Sequence, residues 1–501
     1  MTIEADDSGG RDRDAATPTA TSVGAAARST ARSEDADEGV AEEYAAALAA
    51  LADRGRFGVR LGLGRTRALL RELGDPQLAV RGALIAGTNG KGSVLALTGS
   101  ALRAAGLRVG ETPKPHLTSY RERLQIDGRP VDPGTFSRLV RDAIRAADRV
   151  ARRLGDPTEF ELLTAVVFAW FAEQDIDLAI VEVGLGGRLD ATHAWDGGVA
   201  AITNVDLDHT ERLGPTVAHI AREKAAIIVR GDRAVTGATG VARDIIRRRA
   251  SRLRVPLAIV EPAPIVAIDR GGLELELPRL GRTRVGLLGR HQAANVAVAD
   301  AVLDALGEAG IAAVPDHARR RGYAAARWPG RLELLSVDGR DVLLDGAHNP
   351  AGAAALAAAL DDLRPHLTHG RLTLVLACMA DKDVAGIAAA LGRSAALDGA
   401  LVVTTAIDTP RALPAGRLAA IWLNRSGRVG SVEVEPDLDR ALDRALAGPP
   451  GPVVVAGSLY LVGAVRSRLV DEPLLRDPMP LLRGAGHAVG DRLAPGDNRP
   501  R

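Results

Sequence analysis

The stretch of the sequence with the clearest chemistry is a glycine-rich turn, GTNGKGS, at residues 87–93. An apolar run precedes it and an apolar-periodic segment rich in helix formers follows it, as in a phosphate-binding loop at the N-terminus of a helix. Glycines let backbone amides approach an anion closely, and the helix adds the positive end of its dipole. In such a loop Lys91 would reach the distal phosphates of a nucleotide, and Ser93 would hold a magnesium ion.

The spacing of this turn differs from that of the common P-loop, because residue 85 is isoleucine and Gly92 separates the lysine from the hydroxyl. The alternative to a nucleotide site is an ordinary glycine-rich turn between a strand and a helix. As an ATP site, the loop would contribute Gly87, Thr88, Asn89, Gly90, Lys91, Gly92 and Ser93.

A second chemical feature is a carboxylate near the end of a predicted strand. The run LAIVEV at residues 178–183 is apolar apart from Glu182, as in strands that are buried on both faces. Ligands of open parallel sheets bind at the carboxyl ends of the strands, so Glu182 is well placed to hold Mg²⁺. The alternative is an ion pair between Glu182 and Arg188. His209 follows another predicted strand, at residues 199–205, and is a candidate for the same site.

Lysine is scarce in this chain. Of the 64 basic residues only four are lysine, namely Lys91, Lys114, Lys224 and Lys382. An ammonium is compact and can lose its charge, whereas a guanidinium is planar and cannot. We therefore infer that the remaining lysines occupy positions that require an ammonium, with survival by chance as the alternative. All four lie in motif-like segments.

The composition is that of a globular protein. The chain has 501 residues, which favours two or three domains, and 46% of them are apolar. A net charge of +1 provides no basic field for nucleic acid. One cysteine, Cys378, excludes an intrachain disulfide and fits a reducing compartment. Because the sequence has neither an apolar run of membrane-spanning length nor a signal pattern, we expect a cytoplasmic protein that contacts no membrane.

Sequence patterning divides the chain into four parts. Residues 1–38 contain scarcely any large apolar side chains and are predicted to form a disordered tail. Residues 42–326 form a first domain. An adjacent proline and glycine then interrupt a helical pattern, as a hinge requires, and residues 327–470 alternate strands with helices in the βαβ pattern of a parallel sheet. Residues 471–501 are rich in proline and glycine and are predicted to be a flexible tail.

Periodicity predicts the elements that position these residues. Alternating residues between 265 and 288 predict antiparallel strands attached to the parallel core. The predicted helices cover residues 42–51, 61–73, 94–105, 133–153, 158–174, 216–227 and 287–306.

Motifs along the chain resemble, in the same order, those of the Mur-type ligases, and more narrowly those of the folylpolyglutamate synthase and dihydrofolate synthase branch. They include GTNGKGS, TPKPHLTSYRERL, EVGLGGRLDATH, EKA, HQAAN and DGAHNP, and the resemblance covers residues 42–470. It implies an α/β fold with an N-terminal P-loop-type Mur ligase ATPase domain, whose sheet is mostly parallel, and a smaller Rossmann-like α/β C-terminal domain. Two positions depart from the usual pattern, since Lys114 replaces serine and His193 replaces asparagine.

The resemblance also implies roles for further residues of the first domain. Lys114 and His116 belong to a loop that lies beside the active site in the family, and Asp190 of the LDAT segment belongs to the pterin site. In the family the histidine at position 209 helps to bind a second metal ion. The lysine at position 224 is often carbamylated there, which turns an ammonium into a carboxylate that can ligate magnesium.

Five polar residues farther along the chain match motifs at the nucleotide and substrate face of the family. Asn295 of HQAAN would meet the nucleotide base, and Arg331, just after the hinge, would swing onto a phosphate. Asp345 and His348 of DGAHNP would lie at the same face, and Ser458 follows the last predicted strand in a similar way. The alternatives are a solvated helix face for Asn295 and helix caps for the last three.

The resemblance implies an ATP-dependent ligase whose two domains close on the substrates. In the family, ATP phosphorylates a substrate carboxylate to an acyl phosphate, and the amine of L-glutamate displaces the phosphate. The carboxylate belongs to dihydropteroate, to a reduced folate or to both in turn, and the LDAT segment favours both. We expect ATP as co-substrate, Mg²⁺, and a monomeric protein.

The expected catalytic residues are Lys91, His209, Lys224 and Arg331. The expected metal ligands are Ser93, Glu182, His209 and Lys224. The alternatives are a monofunctional folylpolyglutamate synthase, another Mur-type amide ligase and a non-catalytic nucleotide-binding relative. A non-catalytic relative would be expected to lose some of these charged residues, and all of them are present.

Overall fold

The computed structural model describes residues 20–55, 58, 60–426 and 430–478, with side chains described from residue 38. The helices are α1 (Ala20–Gly55), α2 (Gly64–Glu72), α3 (Lys91–Ala104), α4 (Pro133–Leu154), α5 (Glu159–Glu173), α6 (Thr210–Leu213), α7 (Val217–Ala225), α8 (Gly240–Leu253), α9 (Gln292–Glu308), α10 (Asp316–Ala325), α11 (Pro350–Leu363), α12 (Val384–Leu391), α13 (Ala415–Arg425), α14 (Leu438–Ala447) and α15 (Leu459–Leu469). The strands are β1 (Gly82–Ala86), β2 (Val109–Thr112), β3 (Gln125–Ile126), β4 (Arg129–Pro130), β5 (Leu178–Glu182), β6 (Gly198–Ile202), β7 (Arg233–Thr236), β8 (Leu257–Ile259), β9 (Ile265–Asp269), β10 (Gly272–Leu277), β11 (Gly281–Val285), β12 (Glu333–Val337), β13 (Arg340–Leu344), β14 (Thr373–Leu376), β15 (Leu401–Thr404), β16 (Ser431–Val434) and β17 (Val453–Ala456). Among these helices none has the length and apolar character that a membrane span requires.

The N-terminal domain is built on an eight-stranded sheet with the order β4-β3-β2-β5-β1-β6-β7-β8. The strands β2, β5, β1, β6, β7 and β8 run parallel, whereas β3 and β4 form an antiparallel edge. Both β1 and β5 are buried at every residue, as their apolar runs predict. Helices α4 and α5 cover one face of the sheet, and α3 and α9 cover the other. The mostly parallel sheet is therefore confirmed.

A small antiparallel sheet, β11-β10-β9, adjoins this core and confirms the alternating pattern seen in the sequence. Helix α9 begins at Gln292 and not at residue 287. The reason is that Gly289 has a φ of 92°, which turns the chain before the helix starts. Leu287 and Leu288 are buried in this turn and not on the helix.

The C-terminal domain contains a six-stranded sheet with the order β12-β13-β17-β14-β15-β16. All neighbouring pairs are parallel except β12 and β13, which are antiparallel. Helices α11, α12 and α13 pack on one face, and α14 and α15 pack on the other. The strands β12 to β17 and their helices therefore form the smaller C-terminal α/β domain that the sequence predicts.

The first helix extends farther towards the N-terminus than predicted. It begins at Ala20, so part of the segment 1–38, predicted to be disordered, is helical, whereas residues 1–19 lie outside the described range. The segment is rich in alanine, which has the highest helix propensity. Tyr44 and Leu51 anchor the same helix in the core, and extending an existing helix is easier than nucleating one.

The last described residues, 471–478, cross back to the N-terminal domain, and we call them the return segment. They contain a 3-10 helix, Pro473–Leu475, although they were predicted to belong to a flexible tail. The carboxylate of Asp477 accepts a 3.0 Å hydrogen bond from Nε of Arg121, whose side chain is 3% exposed. Arg121, in the motif TPKPHLTSYRERL, thus pairs with a carboxylate of the return segment. Residues 479–501 lie outside the described range.

Candidate active site

One cavity of about 640 Å³ lies at the carboxyl ends of parallel strands from both domains. The predicted residues that line it are Gly87, Thr88, Asn89, Gly90, Lys91, Gly92, Ser93, Lys114, Glu182, Asp190, His209, Lys224, Asn295, Arg331, Asp345 and His348. Because ligands of open α/β sheets bind at these strand ends, the cavity is the candidate active site.

The glycine-rich turn joins β1 to α3 and is packed so tightly that two of its glycines have no space for a side chain. A Cβ atom at position 90, where φ is 80°, would lie 2.2 Å from Oδ1 of Asn295. A Cβ atom at position 92 would lie 2.6 Å from the ring of Trp328. Side chains at positions 90 and 92 would therefore collide with Asn295 and Trp328, so the close packing of the turn requires glycine at both positions.

Lys91 is the first residue of α3 and folds back over this turn. Its Nζ donates hydrogen bonds to the carbonyl oxygens of Gly87 (3.2 Å) and Thr88 (3.1 Å). The nearest carboxylate oxygen, Oε1 of Glu182, is 3.9 Å from Nζ. The ammonium is thus held in place by carbonyl dipoles and not by a close ion pair.

Glu182 is the last residue of β5 and its side chain is buried. Its Oε2 accepts a 2.9 Å hydrogen bond from the backbone N–H of Lys114, and Nζ of Lys114 donates to the carbonyl oxygen of Glu182 at 3.0 Å. Burial raises the pKa of Glu182, and the charge of Lys91 opposes this rise. Arg188 is paired with Glu223 instead, at 2.9 Å. The alternative that Glu182 serves as the partner of Arg188 is therefore wrong.

Lys114 lies between Glu182 and an aromatic wall of the cavity. Its Nζ is 4.5 Å from the centre of the Phe160 ring, within cation–π distance. Burial lowers the pKa of Lys114 to about 8. Nearby, Asp190 accepts hydrogen bonds from the backbone N–H groups of Leu185 (2.8 Å) and Thr192 (3.0 Å), so its carboxylate is fixed by the loop that carries it.

Lys224 reaches the phosphate-binding turn from helix α7. Its Nζ donates a 2.8 Å hydrogen bond to the carbonyl oxygen of Gly87. Burial, together with the nearby charge of Lys91, lowers the pKa of Lys224 to about 7. His209 immediately precedes α6, has a φ of 50°, and lines the same cavity with a side chain that is 44% exposed.

The four expected metal ligands differ in how well they suit Mg²⁺. Ser93 and Glu182 offer hard oxygen donors beside the phosphate-binding turn, as Mg²⁺ prefers, and phosphate oxygens and water usually complete its shell. An ammonium is no metal ligand, so Lys224 fits the set only after it loses its charge. Within residues 38–478, as far as side chains are described, no three His, Cys, Asp or Glu residues are grouped as a metal site.

The C-terminal domain contributes Arg331, Asp345 and His348 to the cavity. Both oxygens of Asp345 accept backbone hydrogen bonds of 2.9 Å, from Leu332 and Ala347. A ring nitrogen of His348 lies 2.8 Å from the carbonyl oxygen of Gly346, and burial lowers the pKa of His348 to about 4. The imidazole is therefore neutral at physiological pH.

Two predicted substrate residues do not line the cavity. His116 accepts a 2.9 Å hydrogen bond from Nε of Arg123, and its ring lies 4.4 Å from the centre of the Tyr120 ring. Ser458 caps helix α15 by accepting a hydrogen bond from the backbone N–H of Tyr460. A local partner therefore binds Nδ1 of His116 and the hydroxyl oxygen of Ser458. The next residue, Leu459, lines the cavity instead.

Three polar residues beside the phosphate-binding turn are absent from the predicted site. Thr203 donates a 2.6 Å hydrogen bond to the carbonyl oxygen of Asn89, and Asn204 accepts one of 2.9 Å from its N–H. Asp208 lines the cavity and contacts the C-terminal domain. Thr203 and Asn204 directly follow β6, and Asp208 lies in the loop after that strand, so their position after a strand was the available signal.

The family described as "Mur ligase, glutamate ligase domain" matches residues 330–459. A "Probable bifunctional folylpolyglutamate synthase/dihydropteroate synthase" of Haloferax volcanii is 37% identical over 447 residues, which is 85% of this chain but 50% of that protein. The "Dihydrofolate synthase/folylpolyglutamate synthase" of Bacillus subtilis is 33% identical over 428 residues, which is 83% of this chain and 96% of that protein.

Solved structures agree with these relatives. Mycobacterium tuberculosis folylpolyglutamate synthase complexed with ADP superimposes with a TM-score of 0.76 and 34% identity, over 86% of this chain and 100% of that chain. A bifunctional folylpolyglutamate synthase/dihydrofolate synthase of Yersinia pestis, complexed with AMPPNP and a Mn ion, gives a TM-score of 0.71 and 31% identity, over 85% and 98%. By sequence, fold and order of motifs, the chain belongs to the dihydrofolate synthase/folylpolyglutamate synthase family of Mur ligases.

Proposed function

We propose that this protein is an ATP-dependent ligase that joins L-glutamate to dihydropteroate and to the glutamate chain of reduced folates. The observation that carries the proposal is that Lys91 and Glu182 of one domain share a cavity with Arg331 and Asp345 of the other. The Bacillus subtilis dihydrofolate synthase/folylpolyglutamate synthase supports it, as do the two solved structures, which hold ADP and AMPPNP.

The reaction needs positive charge at the transferring phosphoryl group and a site without water. Lys91 supplies a fixed ammonium from the phosphate-binding turn, and Arg331 supplies a guanidinium from the opposite domain. Mg²⁺, held by Ser93 and Glu182, would offset the remaining phosphate charge. The substrate carboxylate takes up the phosphoryl group, and the amine of L-glutamate then displaces it, so no nucleophile of the protein is required.

We assign the remaining contacts in the same way. Asn295, packed against Gly90, would contact the base of the nucleotide, and Asp345 would lie at the nucleotide face. Lys114, Asp190 and His348 would contact the folate or glutamate substrate, because all three line the cavity. His116 and Ser458 support the loop and the helix that carry their neighbours. The monomeric state and the cytoplasmic location stay predictions.

Lys224 fits this reaction best as a carbamate. As an ammonium beside Lys91, it would add a cation where a metal ion has to bind; as a carbamate it would give oxygen ligands, with His209 beside them. Carbon dioxide adds to a neutral amine, and the burial of Lys224 favours that form. Arginine could not replace it.

The purified full-length protein tests the proposal. ADP release is measured with ATP, Mg²⁺ and L-glutamate, while dihydropteroate and a reduced folate are offered separately, and Lys91→Met serves as the inactive control. We expect glutamate-dependent ADP release with both acceptors. Activity with the reduced folate alone would indicate the monofunctional alternative, and no glutamate-dependent release with either acceptor would refute the proposed function.

A further inference from the structure

The two domains touch beside the phosphate-binding turn through two side chains of the C-terminal domain. Nδ2 of Asn349 lies 3.0 Å from Oδ2 of Asp208 and 3.3 Å from Oδ1 of Asn89. Nζ of Lys382 lies 3.4 Å from Oδ1 of Asp208. Asn89 belongs to the turn itself, and Asp208 follows β6, so both acceptors belong to the N-terminal domain.

Asn349 is held in one orientation by its own domain. It caps helix α11, and its Oδ1 accepts a 2.7 Å hydrogen bond from the backbone N–H of Gly352. With the amide oxygen fixed there, the amide nitrogen has to point away from the helix, towards Asp208 and Asn89. The contact between the domains is thus a direct consequence of the helix cap.

Lys382 is the one lysine that lines no part of the cavity. It lies in a tight turn after β14, where its backbone N–H donates to the carbonyl oxygen of Met379 and its own carbonyl oxygen accepts from the N–H of Val384. The side chains of Lys382 and Asp208 are only 14% and 13% exposed. The short turn and the low exposure leave the ammonium little freedom to find another carboxylate.

The hydrogen-bond acceptors in the N-terminal domain, Asn89 and Asp208, are equally constrained. The backbone of Asn89 is held by Thr203 and Asn204 of the segment that leads to Asp208. The phosphate-binding turn and the carboxylate of Asp208 therefore move together. Whatever fixes Asp208 relative to the C-terminal domain also fixes the turn relative to Arg331, which approaches the cavity from that domain.

We propose that Asn349 and Lys382 are positioning residues that lock the closed arrangement of the domains onto the phosphate-binding turn through Asp208 and Asn89. Neither residue lines the cavity, so they act through those two residues and not on the substrates. The proposal rests on the proposed function: the lock keeps the acyl phosphate away from water until the amine of glutamate attacks.

Asn349 offers two variants that separate this role from helix capping. Asn349→Ser keeps a cap but is too short to reach Asp208, and Asn349→Asp keeps a cap but places a second carboxylate against Asp208. We expect ligation to fall from wild type to Asn349→Ser and further to Asn349→Asp, by about tenfold and by roughly 100-fold, as for misplaced reacting groups. Wild-type rates in both variants would overturn the proposal.

Lys382 provides the second test. Lys382→Met should lower kcat for ligation about tenfold, leave KM for ATP unchanged, and raise the ratio of ADP released to product formed. Lys382→Arg keeps the charge and should restore most of the coupling. Arg411→Met is the matched control, because Arg411 pairs with Asp381 on the exposed surface of the same domain at 2.9 Å. If Lys382→Met releases no more ADP per product formed than the wild type does, the lock is contradicted.

A measurement that needs no ligation separates this proposal from the proposed function. Solution scattering with a non-hydrolysable ATP analogue and a reduced folate should show wild-type protein becoming more compact, and Lys382→Met and Asn349→Asp compacting less. If compaction depends on these residues but no glutamate is ligated, the lock stands and the proposed function fails. If glutamate is ligated but compaction is the same in all variants, the lock fails and the function stands.

Discussion

The lysines of the cavity and the arginines of the surrounding domains have different kinds of partners. In the cavity, Lys91, Lys114 and Lys224 donate to backbone carbonyl oxygens at distances of 2.8 to 3.2 Å. Outside it, two arginines, Arg270 and Arg319, bind carboxylates through more than one nitrogen. Arg270 binds both oxygens of Asp341 at 2.7 Å, and the buried Arg319 binds Asp300 and Asp304.

The difference shows where charge is left available for a ligand. A guanidinium clamped by carboxylates is already neutralised, and it contributes to stability by fixing one geometry. An ammonium held by carbonyl dipoles keeps most of its charge for an incoming polyanion. Three of the four lysines thus line the cavity, which supports the interpretation of the lysine scarcity for Lys91, Lys114 and Lys224.

The largest effect should come from changing the cation type in the phosphate-binding turn. Lys91→Arg keeps the charge, but a planar fork cannot take the place of a compact ammonium between the carbonyl oxygens of Gly87 and Thr88. We expect a loss of roughly 1,000-fold in kcat with little change in the melting temperature. Steady-state ADP release and calorimetry measure both. Near-normal turnover would remove Lys91 from the mechanism.

The reciprocal exchange outside the cavity should affect stability and not turnover. In Arg319→Lys a single ammonium replaces a buried guanidinium that binds Asp300, Asp304 and the carbonyl oxygen of Val314. We expect the free energy of unfolding to fall by about 3 kcal/mol, as when a buried ionic network is broken. Urea denaturation measures it. As the control, Arg138→Lys on the exposed surface should change stability by less than about 0.5 kcal/mol. Equal losses in both variants would contradict the comparison.

The third change places a permanent cation where we propose a carbamate. Lys224→Arg should lower kcat roughly 100-fold, the scale of effects seen when a metal site is disturbed. Intact-mass spectrometry in bicarbonate at mildly alkaline pH should detect the added carbon dioxide on wild-type protein and not on this variant. A short carboxylic acid should partly rescue Lys224→Ala. A fully active Lys224→Arg enzyme would refute the carbamate.

The smallest effect is expected at a carboxyl group outside the cavity that, unlike those described above, does not pair with an arginine within the described residues. Asp232 is buried before β7 and accepts a hydrogen bond from the N–H of Val229. Burial, together with the neighbouring carboxyl of Asp196, raises the pKa of Asp232. The folded state therefore holds a proton that the unfolded state releases at lower pH, so stability is lost as pH rises towards the raised pKa.

Asp232→Asn removes the free-energy cost of ionising this buried carboxyl group, and the amide oxygen can still accept the hydrogen bond from the N–H of Val229. We expect the free energy of unfolding to rise by roughly 1 kcal/mol at pH 8, and by less at pH 5. Urea denaturation of both proteins at the two pH values checks the sign. A gain at pH 5 that exceeds the gain at pH 8 would contradict the raised pKa.

The sequence predicted the parts of the site that follow from strand periodicity and local motifs. Buried parallel strands carry continuous apolar runs, so β1 and β5 were recognisable, and residues just after such strands had to meet at one edge of the sheet. Glu182, the glycine-rich turn and Asp345 line the cavity for this reason.

The contacts between the domains could not be predicted in the same way. Asn349 and Asp208 are 141 residues apart, and no local pattern states how two separately folded sheets will face each other. His116 shows the opposite limit. Its motif predicted a contact with the substrate, but Nδ1 of its ring accepts a hydrogen bond from Arg123, seven residues away. A motif identifies the neighbourhood of a side chain, whereas its partner depends on packing.

The return segment has a mechanical consequence for how the cavity opens. The chain passes between the domains near Gly330 and again where Asp477 binds Arg121. A body attached at one point can swivel in any direction, but a body attached at two points can only turn about the line that joins them. We therefore expect the C-terminal domain to open like a lid along one edge, so that substrates enter from the side opposite the two crossings.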